Sequence, residues 1–227
     1  MIIRKWGIQL VRLQKKDIEL VRIMRNKEYI RTRMFFQQEI TPQQQQHWFN
    51  SINNPFNFYF LIYVPDMEPE NGEKLKPAGL INGKNIDYKK GECEGGIFLW
   101  EKQYWLTPYP LIASIILHDL AFLLIGLNRI FVRVRPDNPT ALYFNQKIGF
   151  SVLHSDEHQI FMVLDRDSHL KATSQIRHKP PFNNSFLTFD DISFEDETLE
   201  DVTLNTFLHL PLEVFLPYAR RIIKTVR

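Results

Sequence analysis

Apolar and polar positions along this chain follow two periodicities, one typical of strands and one typical of helices. Apolar or alternating stretches of strand length lie at 8–13, 58–64, 78–87, 94–100, 129–135 and 159–164. Apolar residues recur at helical spacing at 18–24, 43–52, 111–124 and 139–148. The order is strand, two helices, three strands, helix, strand, helix, strand, which predicts an α/β protein.

The segment 138–150 has the clearest boundaries. Asn138 is a good N-cap residue, and Pro139 fits the first position of a helix. Gly149 supplies the left-handed residue that ends a helix, and Phe150 begins the return to a strand. The segment therefore predicts a short helix with a defined start and stop.

Two further helices carry signals of their own. Thr41 and Pro42 form a cap followed by proline, and the four glutamines 43–46 fit a solvated first turn. The helix at 111–124 is apolar nearly all round and ends near Gly126. We expect this second helix to be buried.

The composition is that of an ordinary globular protein. With 227 residues, 44% hydrophobic and 24% charged, the chain is long enough for one core plus an appendage. The formal net charge of +2 argues against a dedicated nucleic-acid binder, so no nucleic-acid partner is expected.

Cysteine content and hydropathy indicate the compartment. The single cysteine, Cys93, cannot form an internal disulfide, and we expect a small, partly buried residue in a reducing environment. Residues 1–12 are strand-like and lack the apolar region of a signal peptide, and no run approaches the roughly 18 apolar residues of a membrane span. These features predict a cytoplasmic protein without a membrane span.

Segment 138–150 resembles the last motif of the GNAT superfamily of acyl-CoA-dependent N-acyltransferases, in which Asn-x-x-Ala and Lys-x-Gly-Phe flank a helix. The matching residues are Asn138, Ala141, Lys147, Gly149 and Phe150. The order of elements is also that of the family, so the resemblance covers about residues 8–164. It implies a central mixed, twisted sheet flanked by helices in a domain at 1–165, with a C-terminal extension at 166–227.

A narrower resemblance concerns the first helices. Residues 24–26, 34, 40–41 and 47–49 are similar to GNAT enzymes that acetylate amino sugars on nucleotide carriers, or protein N-termini. It implies acetyl-CoA as co-substrate, a small amine as acceptor, and Arg25, Asn26 and Trp48 as substrate-binding residues. The alternative for Arg25 is a surface pair with Glu28 or Glu39.

The resemblance also implies where CoA binds. The strand at 94–100 would offer its backbone to pantetheine at Phe98, Leu99 and Trp100, and Asn138 would lie at the thiol end. The family's glycine-rich phosphate loop is altered, because Trp105, Pro108 and Pro110 stand at its arginine or glutamine and its two glycines.

Proline has no amide hydrogen, so two phosphate donors are missing from that loop, which would weaken CoA binding. The remaining donors are expected at Thr107, Tyr109 and Leu111. The prolines also predict extended backbone at Thr107 and Tyr109.

For the chemistry, the resemblance points to Glu94 as the general base, and His47 is the alternative. Asn145 stands where many family members have a tyrosine acid, so it would at most stabilise the oxyanion or thiolate. Tyr143 is interpreted as a packing residue that faces the core. Glu94 is otherwise a rim carboxylate paired with Lys89 or Lys90.

Two other features of the sequence bear on metal binding and on partners. His154, Asp156, Glu157 and His158 lie together, but without a further convergent ligand they do not predict a metal site. The extension carries a dense apolar stretch at 202–218, between acidic residues and a basic end. We expect the extension to pack on the core or on a second subunit of a homodimer, and a membrane-surface helix is the alternative.

The sequence thus favours an acyl-CoA-dependent N-acyltransferase that acts on a small amine such as an amino sugar. The alternative is a GNAT fold that has lost catalysis and serves as a binding or scaffold protein. The two prolines favour the alternative, while Glu94 and segment 138–150 favour the enzyme.

Overall fold

The computed structural model describes residues 1–67 and 74–193. The strands of this part of the chain are β1 (Ile2–Lys5), β2 (Ile8–Arg12), β3 (Phe58–Pro65), β4 (Leu75–Asp87), β5 (Glu92–Leu99), β6 (Arg129–Val134), β7 (Ser151–Ser155), β8 (Ile160–Asp165) and β9 (Ile192–Ser193). The α-helices are α1 (Ile18–Asn26), α2 (Glu28–Arg31), α3 (Pro42–Ile52), α4 (Tyr109–Asp119), α5 (Pro139–Lys147) and α6 (Arg166–Arg177).

All nine strands belong to one sheet, in the order β7-β8-β6-β5-β4-β3-β2-β1-β9. Neighbouring strands pair antiparallel, except that β5 and β6 pair in parallel. The sheet is therefore mixed, as predicted, and its single parallel pair lies near the middle.

The sheet has a buried apolar layer on each face. On one face, the apolar sides of α1, α2 and α3 cover Leu61, Leu80 and Trp100. On the other, α4 packs on Phe60, Ile81 and the neighbouring strand residues, and α5 contributes partly buried side chains. We call these the α1–α3 face and the α4 face.

The helix predicted at 111–124 is confirmed as the central helix of the α4 face. Every residue of α4 from Ile112 to Asp119 is buried. The helix continues with π-helical geometry over Leu120–Ile125 and ends at Gly126, whose φ is +81°. A φ of this sign suits glycine and stops the helix.

The predicted caps are also confirmed. The Thr41 side chain accepts from the Gln44 amide, and Gln44 bonds back to Thr41, so the pair forms a capping box at the start of α3. The Asn138 side chain accepts from the Ala141 amide and caps α5.

The strand predicted at 8–13 is confirmed as β2, and a further strand, β1, precedes it. A two-residue turn at Trp6 and Gly7 joins β1 to β2, and both residues have positive φ, +50° and +84°. Positive φ at both positions matches the right-handed twist of a hairpin. Tryptophan is not a typical residue for such a turn, so the sequence pattern did not show it.

Part of the region assigned to the extension lies against the core. His169 and Thr173 of α6 are fully buried, and Phe182 and Leu187 join the apolar layer of the α4 face. β9 then pairs with β1 at the edge of the sheet. The apolar stretch at 202–218 lies outside the described residues.

Candidate functional site

β5 and β6 begin as neighbours and then separate. Their parallel pairs are Glu92 with Arg129, Cys93 with Ile130, and Glu94 with Phe131. β5 continues to Leu99 and β6 to Val134 without further pairing between them. The sheet therefore has a gap in the middle, and the gap widens away from Glu94.

The edge of β5 that faces this gap offers backbone hydrogen-bonding groups. The Trp100 amide donates to β4. Since successive residues of a strand direct their peptide groups to opposite sides, those of Gly95, Ile97 and Leu99 face the gap. The Leu99 carbonyl accepts a hydrogen bond of 2.9 Å from Trp105 Nε1. The peptide groups of Gly95 and Ile97 are left for a ligand.

A cavity of about 710 Å³ occupies the gap. Residues of α1, α3 and the loop at 33–40 line it on the α1–α3 face, and residues of α4 and α5 line it from the other side. The strands β4, β5 and β6 contribute the residues between them. The cavity is therefore large enough for a drug-sized molecule and reaches both faces of the sheet.

Glu94 lies on the wall of this cavity, where the two strands separate. Its Oε1 accepts from Lys84 Nζ at 3.1 Å and from Arg133 Nη2 at 2.8 Å. The alternative pairs with Lys89 or Lys90 are not formed. The other oxygen, Oε2, has no hydrogen-bond partner within residues 1–67 and 74–193.

The three residues assigned to the acceptor have different surroundings. Trp48 lines the cavity and meets the Tyr59 ring edge-on at 5.3 Å. Arg25 also lines it and pairs with neither glutamate considered above. Asn26 instead uses its carboxamide to hold the backbone of Ile40, by bonds of 2.8 and 2.9 Å. Trp48 and Arg25 are thus placed to touch a ligand, and Asn26 fixes the loop that covers it.

His47 and Gln45 each lie in the environment opposite to the one that the sequence suggested. His47 is exposed and is absent from the cavity wall. Gln45, which we placed in a solvated turn, is only 3% exposed and lines the cavity. The reason is helical phase, because Gln45 lies one turn before the buried Phe49.

On α5, Asn138 and Asn145 both line the cavity. Asn145 Nδ2 donates to the Ala141 carbonyl at 2.8 Å, so its amide hydrogen is directed to the helix backbone. Tyr143 is 62% exposed, and the expectation that it faces the core was wrong.

The segment before α4 differs from the expected phosphate loop. The Thr107 amide and hydroxyl both donate to the Tyr104 carbonyl, at 3.3 and 2.7 Å. Tyr109 is the first residue of α4, so the expectation of extended backbone there was wrong. Pro110 is favourable in the first turn, and the Tyr109 amide donates to Thr107 Oγ1 at 3.4 Å.

The residues assigned to the cofactor fit CoA in part. Phe98 lines the cavity, but Leu99 and Trp100 are buried, and their carbonyls are bonded to Trp105 and Tyr29. The gap suits the extended pantetheine arm, because its two amides can bond to the free peptide groups of β5. Pro110 removes a donor from the phosphate end.

Two cations lie beside that end. Arg33 stacks on the Trp105 ring at 4.4 Å, and Lys102 lies over the Tyr29 ring at 4.6 Å. Neither forms an ion pair with a carboxylate among the described residues. Cations of this kind bind phosphates by charge-assisted hydrogen bonds.

Several cavity residues had no signal in the sequence. Arg33, Lys84, Arg133 and Arg135 come from three separate segments, and only the sheet brings them to one wall. His118 of α4 also lines the cavity; burial lowers its pKa well below the ordinary value, so the ring is neutral. A lone histidine in an apolar helix gave no sign of this position.

Two further features concern metal binding and membrane spanning. Within residues 1–67 and 74–193, no group of three or more His, Cys, Asp or Glu side chains is arranged to hold a metal ion. No helix in the same residues is both long and apolar enough to cross a membrane.

The sheet with its central gap, the cavity within it and the capped α5 define the acetyltransferase (GNAT) domain, and the family model matches residues 8–151. The chain belongs to this acetyltransferase family. Its fold is therefore the α/β GNAT fold, and acetyl-CoA is the co-substrate typical of the family. No curated protein sequence matches the chain.

Solved structures share the fold at low sequence identity. FdhC, a nucleotide-linked sugar GNAT, is 15% identical with a TM-score of 0.63, over 78% of this chain and 96% of its own. Spermidine N-acetyltransferase from Vibrio cholerae, in complex with CoA and spermine, is 16% identical with a TM-score of 0.60, over 73% and 99%. A domain from Methanocaldococcus jannaschii DSM 2661 is 19% identical with a TM-score of 0.58, over 70% and 97%.

Proposed function

We propose that this protein transfers an acyl group, typically acetyl, from acyl-CoA to the primary amine of a small acceptor such as an amino sugar. The observation that carries the proposal is the cavity that passes through the gap between β5 and β6. It gives a thioester and an amine access to one point from opposite faces of the sheet.

Glu94 lies where these two paths meet. The amine nitrogen attacks the thioester carbonyl, the C–N bond forms and the C–S bond breaks. The proton lost by the amine passes to Glu94 Oε2, directly or through water, and the thiolate takes a proton from solvent. Lys84 and Arg133 hold the Glu94 carboxylate through Oε1. These two ion pairs fix the position of Oε2.

Acetyl transfer by the full-length chain, followed as CoA thiol release with a panel of amines, tests the proposal. Glu94→Gln should lower kcat by roughly 100-fold or more while CoA affinity measured by calorimetry stays unchanged, since only proton removal is lost. Glu92→Gln is the matched control, because Glu92 lies on the same strand, pairs with Arg129 and is absent from the cavity wall.

Full activity of Glu94→Gln between about pH 6 and 9 would show that Glu94 serves only the ion pairs with Lys84 and Arg133. His47 would not replace it easily, because its side chain is on the outer side of α3.

The second candidate is a GNAT fold without catalysis, which binds a ligand in the same cavity. Pro108 and Pro110, at the start of α4, favour it. If CoA binds and none of the amines is acylated, this second candidate is correct.

A further inference from the structure

Buried hydrogen-bonding atoms without a partner are concentrated at the cavity. Among the described residues, four such side-chain atoms belong to residues that line the cavity. These atoms are Arg25 Nη1, Gln45 Nε2, Asn82 Nδ2 and His118 Nδ1. Because a buried group without a partner destabilises the fold, such a concentration marks a place where a ligand supplies the partners.

Three of the four atoms lie on the α1–α3 face of the cavity. Arg25 belongs to α1, Gln45 to α3 and Asn82 to β4, whereas His118 lies on α4. All three are nitrogens that donate hydrogen bonds, so their ligand must offer oxygen acceptors. Gln45 is only 3% exposed, and its buried amide therefore depends on what fills the cavity.

Arg25 adds a positive charge to this wall. Its Nη2 donates to the Phe36 carbonyl at 3.0 Å, and no carboxylate pairs with it in the described residues. Burial lowers the pKa of Arg25 to about 10, so the guanidinium is still charged at neutral pH. A partly buried cation without a counter-ion is unfavourable unless an anion binds beside it.

Most of the remaining charges of the cavity wall are positive. The wall carries the cations Arg25, Arg33, Lys84, Arg133 and Arg135, of which Arg135 pairs with the exposed Asp137. Its one carboxylate, Glu94, is shared by Lys84 and Arg133. A polycationic acceptor would meet net positive charge here, and an anionic acceptor would be attracted.

We propose that the α1–α3 wall binds a phosphate or carboxylate group of the amine acceptor, with Arg25 as its cation and Gln45 and Asn82 as amide donors. The inference rests on the proposed function and narrows the acceptor to anionic amines. Phe35 and Phe36 line the same cavity and are 48% and 47% exposed. They offer an apolar surface on which the ring of a sugar or base can pack.

Acetyl transfer to three amines of different charge tests the acceptor class. Glucosamine 6-phosphate carries the phosphate, glutamate carries the carboxylate, and spermidine is the cationic amine. We expect the highest kcat/KM for one of the two anionic amines, which also identifies the anion. A higher kcat/KM for spermidine would overturn the proposal and leave the proposed function intact.

Variants test the residues. Arg25→Met should raise KM for the anionic amine at least about tenfold, because a charge-assisted hydrogen bond is lost, with kcat and the KM of acetyl-CoA unchanged. Gln45→Leu should raise the same KM less. Arg129→Met, which removes the same charge outside the cavity, is the control. An unchanged KM in Arg25→Met would overturn the proposal.

Calorimetry covers the case in which none of these amines is acylated. Uridine diphosphate is titrated into the protein saturated with CoA, so that only the acceptor side is open to the added phosphate. Binding that Arg25→Met weakens at least about tenfold supports the site, and no binding to the wild type overturns it. If CoA itself fails to bind, the proposed function is wrong, and the same titration without CoA decides the anion site separately.

Discussion

A buried and a partly buried arginine lie on opposite faces of the sheet and have opposite surroundings. Arg177 of α6 is 3% exposed, and its Nη2 donates to Asp119 at 2.6 Å. Its Nε bonds to Thr173 and its Nη1 to the Ser185 carbonyl, both at 3.1 Å. Within residues 1–67 and 74–193, Arg25 on the α1–α3 face has one hydrogen bond, to a carbonyl, and pairs with no carboxylate.

We expect such a difference between a group that serves the fold and one that serves a ligand. Asp119 is fully buried and also accepts from His169 Nε2 at 2.8 Å and from the Leu187 amide at 3.1 Å. This cluster joins α4, α6 and the segment after α6, so its charges are compensated within the chain. Within the described residues the charge of Arg25 has no such compensation, and a bound anion would offset the cost of its burial.

The largest effect is expected at Asp119. Asp119→Ala leaves the Arg177 guanidinium buried without a counter-charge, which should lower the free energy of unfolding by about 3–5 kcal/mol. Urea denaturation measures it. A loss comparable to that of an exposed ion pair would show that the cluster is solvated and that the two arginines do not differ as described.

Substitutions at the start of α4 test the same distinction between groups that serve the fold and groups that serve a ligand. Pro110→Gly restores an amide in the first turn, and Pro108→Gly one at the cap. If phosphate is the missing partner, the pair should tighten CoA binding by at least about tenfold, since one donor to a charged acceptor contributes about 1.5–3 kcal/mol. Calorimetry in low and high salt measures it. Unchanged affinity would mean that the phosphates bind elsewhere, for example at Arg33 and Lys102.

Arg25→Met should leave the unfolding free energy unchanged or slightly higher at pH 7. Burial lowers the pKa of Arg25 to about 10 in the folded state, below its ordinary value. Between about 10 and the ordinary value, the unfolded chain binds more protons than the folded chain. The burial cost of Arg25 is therefore fully present below about pH 10 and is relieved as the pH rises above it. A clear loss of stability at pH 7 would show that Arg25 is a structural residue like Arg177.

The smallest effect concerns Cys93, which belongs to the packed core of the α4 face. Burial raises the pKa of its thiol to about 12, so the thiolate is scarce at pH 8. We expect no reaction of the native protein with a disulfide reagent, and one thiol per chain after unfolding. Rapid reaction of the native protein would show that the α4 face opens.

Local signals in the sequence determined the elements of this fold. Helix caps and stop signals involve residues within one or two turns of each other, so they can be recognised from the sequence alone. Examples are the caps at Thr41 and Asn138 and the stops at Gly126 and Gly149. The alternation of apolar residues gave the strands that meet in the sheet. The turn at Trp6 was not predicted, because its residue type does not reveal its positive φ.

The candidate site depended on distances in three dimensions. Arg25, Gln45 and Asn82 are far apart in the sequence and share one wall because α1 and α3 pack over β4. Glu94 meets Lys84 and Arg133 across strands, whereas Lys89 and Lys90 were nearer in sequence. Whether a polar residue has a partner is a property of the packed chain, so only the tertiary structure showed which charges and donors are left for a ligand.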